Sequence, residues 1–94
     1  MAQVGLEMAL KLVKARLNRL ATDTSQDEYL MARLMAAKEE IERTGIDLTD
    51  GMDDMLLLVD YTVWAYQARD AQKGMPDWLR LRRRERWLGE HAAR

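Results

Sequence analysis

The chain has 94 residues, of which 48% are apolar and 33% charged, with a formal net charge of −1. This is the composition of one small globular domain, and five glycines and one proline exclude a linker or a fibre. The absence of cysteine excludes a disulfide scaffold and thiolate metal sites, and a single histidine excludes paired-histidine zinc motifs.

A helix is predicted over about residues 4–21. Leu6, Leu10, Val13, Leu17 and Leu20 recur at steps of four and three and draw one apolar stripe, with Lys11, Lys14 and Arg16 largely off it. Glu7, Lys11 and Lys14 break up the apolar run that a signal peptide would need. Residues 22–25 read as a loop.

The second helix starts at Ser25 and Glu28, which have the spacing of a capping box, with Asp27 placed where the helix dipole favours a negative charge. Its stripe is Leu30, Leu34, Ala37 and Ile41. Arg43 lies in its last turn and Gly45 follows as the residue that ends it; Lys38 and Glu42 are spaced to pair on its surface. An acidic loop follows, and Thr49 or Asp50 is placed to cap the next helix.

The third helix is predicted over about residues 52–72. One stripe runs Met52, Met55, Leu56, Val59, Val63 and Tyr66, and a second runs Leu57, Tyr61, Trp64 and Ala68. A helix apolar nearly all round is buried on all sides, so its second face is covered either by other helices of the chain or by another subunit. Its longest apolar run is far short of the ~20 residues of a membrane span. Lys73 and Gly74 end this helix, and Pro76 suits the first turn of a fourth over about residues 77–89, which carries Trp78, Leu79, Leu81, Trp87 and Leu88. Residues 90–94 are expected to fray. The expected fold is all-α: a small bundle of about four helices with short loops, one domain over residues 1–94.

Charge is unevenly spread. Residues 1–21 carry a net +3, residues 22–60 a net −8, and residues 80–94 a net +4. Solvated faces explain this, and so does a subunit whose acidic region meets a basic region of a neighbour. Catalytic machinery is thin: Ser25, the one serine, is explained by capping, and His91 lies near the end of the chain. Asp47, Asp50, Asp53 and Asp54 do not have the spacing of a calcium loop, and no glycine-rich phosphate loop occurs. No catalytic residue, cofactor or metal is expected.

Arg80, Arg82, Arg83, Arg84 and Arg86, flanked by Trp78 and Trp87, form the one dense basic cluster. Such a cluster can bind nucleic acid through phosphates and stacking, or dock a protein, tryptophan and arginine being the residue types that dominate interfaces. The bland alternative has Leu79, Trp87 and Leu88 anchoring the helix while the arginines project to solvent and Glu85 and Glu90 pair with some of them.

The stretch LLLVDYTVWAYQARDAQKGMPDWLRLRRRERWL resembles the small α-helical head–tail connector proteins (adaptor or head-completion proteins) of long-tailed bacteriophages. The matching residues are Leu56, Val59, Asp60, Tyr61, Trp64, Tyr66, Arg69, Asp70, Gly74, Met75, Pro76, Leu79 and Leu81. LVKARL, DEYL and AAKEEIERTGI extend the resemblance over most of the chain.

The resemblance implies a non-enzymatic structural virion protein that assembles with itself into a ring, of dodecameric type, below the portal protein. Such a ring extends the DNA channel and presents a platform to a downstream neck or tail-completion protein. It implies residence at the portal vertex of the virion, and in the host cytoplasm during assembly, without membrane contact. Tyr61, Trp64 and Ala68 are then candidates for a subunit or helix–helix contact. Trp78, Arg80, Arg82, Arg83, Arg84, Arg86 and Trp87 are candidates for contact with the portal or a neighbour. Asp47, Asp50, Asp53 and Asp54 are candidates for the channel lining, past which DNA moves without specific binding. The competing readings are a small helical DNA-binding protein (a regulator or packaging subunit) using the Arg80–Arg86 helix, a bundle that binds one host protein, and, more distantly, an enzyme.

Overall fold

The computed structural model describes residues 5–20, 22–68 and 74–92. Four helices follow in chain order: α1 (Leu6–Arg16), α2 (Asp27–Arg43), α3 (Met52–Ala68) and α4 (Asp77–Ala92). Among the described residues there is no strand, and the molecule measures 44 × 32 × 18 Å. This is the small all-α bundle that the helical periodicity predicts.

α1 ends well before the predicted residue 21. Asn18 takes a left-handed conformation with φ +59°, which asparagine tolerates better than most residues. The Asn18 amide donates to the Ala15 carbonyl and the Arg19 amide to the Lys14 carbonyl, at 3.1 and 2.8 Å. This pair of bonds is the Schellman closure that satisfies the last carbonyls of a helix. The chain turns away there, so Leu20, placed in the core stripe by its spacing, is 74% exposed. Lys14 is buried instead, its ammonium 2.9 Å from Asp27 of α2.

The start of α2 differs from the predicted capping box. Ser25 turns back to Asp23, its amide and hydroxyl donating to Asp23 Oδ1 at 3.0 and 2.7 Å, and Gln26 occupies the cap position. The interior of α2 is as predicted: Leu30, Leu34, Ala37 and Ile41 are all buried. Burying each of these larger side chains contributes about 1.5–3 kcal/mol before entropy is counted. Lys38 and Glu42 pair at 3.0 Å, and Gly45 ends the helix with φ +102°.

α3 is the central element and packs against α1, α2 and α4. Asp54, Met55, Leu57, Leu58, Val59, Tyr61, Thr62 and Val63 are buried along it. The buried Thr62 hydroxyl donates to the Leu58 carbonyl at 2.7 Å, which supplies the partner a buried hydroxyl needs. The two predicted stripes are thus largely covered from within the chain, apart from the exposed Met52 and Leu56. The predicted continuation over 69–72 lies outside the described residues.

α4 packs against α3 alone among the helices. Pro76 opens it, accepting from the Leu79 and Arg80 amides, and Leu79 is its one fully buried side chain among the described residues. The helix does not stop near residue 89 but continues to Ala92. His91, expected in a frayed tail, stacks on Trp87 at 4.2 Å with its Nε2 2.9 Å from the Gly45 carbonyl. Residues 93 and 94 of that tail lie outside the described residues.

Candidate functional site

The basic helix divides into an inner and an outer face. A helix held by one buried leucine needs further attachment, and arginines supply it. Arg82 reaches Asp60 of α3, whose other carboxylate oxygen takes Arg16 of α1, so one carboxylate joins three helices. Arg86 forks onto Asp54, with Nε 2.7 Å from Oδ1 and Nη2 3.1 Å from Oδ2. It also donates to Glu90 and to the Asp47 carbonyl. Arg83 lies beside Tyr61. These arginines do not project freely to solvent as the bland alternative supposes. Arg80 does, pairing with the exposed Asp77 at 3.1 Å, and so does Arg84.

The acidic group is split in the same way. Asp47, Asp50 and Asp53 are exposed, but Asp54 is 5% exposed and held by Arg86 and by Thr49, whose amide and hydroxyl donate at 2.8 and 2.9 Å. Asp54 is therefore a structural anchor between α3 and α4. Burial pushes its carboxyl up, but the bonds from Arg86 and Thr49 outweigh burial and hold it below the ordinary value. Thr49, a predicted helix cap, donates to Asp54 and accepts from the Gly51 amide.

Tyr61 and Trp64 meet edge to face at 5.5 Å, and the Tyr61 hydroxyl donates to Glu40 of α2 at 2.7 Å. Of the two contacts predicted for the Tyr61, Trp64 and Ala68 face, the observed one is helix–helix packing. Ala68, partly buried, is the last residue of α3. The Trp64 indole N–H is buried without an acceptor among the described residues.

Beside Arg80, Arg84 and Glu85, α4 exposes large apolar side chains. Trp78, Leu81 and Leu88 are 50%, 54% and 43% exposed. Leu88, predicted to anchor the helix, belongs to this outer strip: the inner positions at its level go to Arg86 and Glu90. Trp87 lies at the flank, its indole N–H donating to the Thr44 carbonyl at 2.7 Å.

A second apolar surface was not singled out by periodicity. Leu10, Asp27, Glu28, Met31, Ala32 and Met35 line an open groove of about 380 Å³ between α1 and α2. Met35, in the middle of this groove, is 51% exposed. The available signal was the spacing of Glu28, Ala32, Met35 and Glu39, which falls on one helical ridge opposite the core stripe.

Among the described residues no three His, Asp or Glu side chains gather as a metal site, and no helix is long and apolar enough to cross a membrane. Comparison with protein-family models, curated proteins and solved structures finds no match to this chain.

Proposed function

We propose that the chain is the subunit of a head–tail connector ring of a long-tailed bacteriophage. In this reading it assembles with itself below the portal protein, prolongs the DNA channel and carries a downstream neck or tail-completion protein. It works at the portal vertex of the virion after assembly in the host cytoplasm, and it is structural, with no catalytic residue. The observation that carries the reading is the presence of two separate exposed apolar faces on one small subunit, one on α1–α2 and one on α4. A ring is a heterologous assembly, in which one patch of each subunit meets a different patch of the next. Exposed apolar area of this kind marks interaction surfaces.

DNA binding through the last helix is less well supported. Arg82 and Arg86 are engaged by Asp60 and Asp54, which leaves a short basic surface for phosphates.

Native mass measured over a concentration series, with and without the portal and with short duplex DNA, tests the reading. Closed rings, formed alone or on the portal and indifferent to DNA, are expected. A subunit that ignores the portal and binds duplex with a steep salt dependence would overturn it.

A further inference from the structure

We infer that the two exposed faces are complementary to each other: the outer ridge of α4 of one copy seats on the α2 ridge of the next. The inference deepens the ring reading and rests on it. The α2 ridge runs Glu28, Ala32, Met35, Glu39, with a carboxylate at each end and an apolar middle that opens into the groove beside Met31. The α4 ridge presents Leu81, Arg84 and Leu88, with Trp78 on its shoulder. At a rise of about 1.5 Å per residue the α2 ridge is about 16 Å long and the α4 ridge from Leu81 to Leu88 about 10 Å, so the second can lie along the first.

Charge selects this pairing over the symmetric ones. Glu28 and Glu39 are exposed and have no ion pair among the described residues, and neither does Arg84. Two α2 ridges brought together would oppose carboxylates, and two α4 ridges would oppose Arg84 to its copy, Arg80 being already paired with Asp77. Seating α4 on α2 instead, with the two helices parallel, sets Leu81 over Ala32 and Met35 and brings Arg84 up to Glu39. Like charges across an interface suppress a pairing, and opposite charges fix its register. Because α4 packs on α3 among the helices and meets α2 only at its end, where Trp87 bonds Thr44, one subunit cannot lay its own two ridges together. The contact has to be made between copies.

The chain has no cysteine, so single cysteines report contacts cleanly. Met35→Cys and Leu81→Cys are surface changes and are made in separate preparations. Mixed in concentrated solution and oxidised, they are expected to give the Met35→Cys to Leu81→Cys cross-link, with neither protein cross-linking alone. Arg84→Glu is expected to abolish the cross-link, and Glu39→Arg to restore it in the Arg84→Glu background. A symmetric Leu81→Cys dimer, or no mixed cross-link, overturns the pairing. Native mass separates this outcome from the fate of the ring reading. Closed rings without the mixed cross-link sink the pairing alone, whereas cross-linked open filaments uphold the pairing and sink the ring.

Discussion

Arg86 grips Asp54 through two nitrogens, at 2.7 and 3.1 Å, across the interface between α4 and α3. The pair lies mostly out of solvent, with the arginine side chain 24% and the aspartate 6% exposed. Removing one partner leaves the other charge poorly solvated. Arg86→Ala is expected to lower stability by about 2 kcal/mol, the scale of hydrogen bonds to charged groups. Urea unfolding checks this. The double variant with Asp54→Asn is expected to lose less than the sum of the two single changes, because the two residues act on one contact.

The same carboxylate sets an acid limit. Burial pushes the Asp54 carboxyl up, the bonds from Arg86 and Thr49 prevail, and it lies below the ordinary 3.8. The unfolded chain therefore takes up this proton at higher pH than the folded one. The stabilisation is fully present above the unfolded value and is lost as the pH falls through the depressed folded value. Urea midpoints are expected to decline as the pH is lowered through and below 3.8, and Asp54→Asn to decline less.

Tyr61 sets the opposite limit. Burial, and then its bond to Glu40, push its hydroxyl up to about 12 from 10.0. The folded state holds this proton longer than the unfolded state, so stability is fully present below 10.0 and falls as the pH rises towards 12. Tyrosinate absorbance is expected to show one of the three tyrosines ionising late, and Tyr61→Phe to remove that step and flatten the alkaline loss.

Gly45 is held at φ +102°, and a Cβ there would come within 3.0 Å of His91 Nε2 and 3.2 Å of Trp87 Nε1. Gly45→Ala is expected to cost about 1–2 kcal/mol through the left-handed backbone alone. The clash acts on the end of α4, so amide exchange is expected to quicken over residues 87–91 more than in α2.

Core and outer leucines should separate cleanly. Leu34 is fully buried, and Leu34→Ala is expected to lose about 2–5 kcal/mol. Leu88→Ala is expected to stay within about 0.5 kcal/mol in the same urea titration. A native stability of about 5–15 kcal/mol makes the first loss large.

The legible part of the fold was its local part. Leu30, Leu34, Ala37 and Ile41 mark the buried face of α2 because helical spacing repeats every turn, and Gly45 marks its end because few other residues accept its backbone. The stop at Asn18 was hidden, since Leu17 and Leu20 continue the apolar spacing while the Schellman bonds turn the chain. Ser25 was read as a cap because its spacing to Glu28 is right, but Asp23 lies closer and takes both its hydrogens. The candidate site was legible in residue type, through Trp78 and the arginines, and not in orientation. The α2 ridge is not legible in the sequence, because nothing local distinguishes Met31 and Met35 from ordinary helix residues until the core stripe of α2 is seen facing away from Met35.

Sequence by itself determined four helices, their approximate order along the chain and the uneven charge, because these follow from spacing and composition within a few turns. Tertiary structure alone decided which charges are spent inside. Arg82 and Arg86 find Asp60 and Asp54 at sequence separations of 22 and 32, which no local pattern encodes. Once those arginines turn inward, the geometry of one helix forces Leu81 and Leu88 outward, and the subunit carries an apolar strip on its surface.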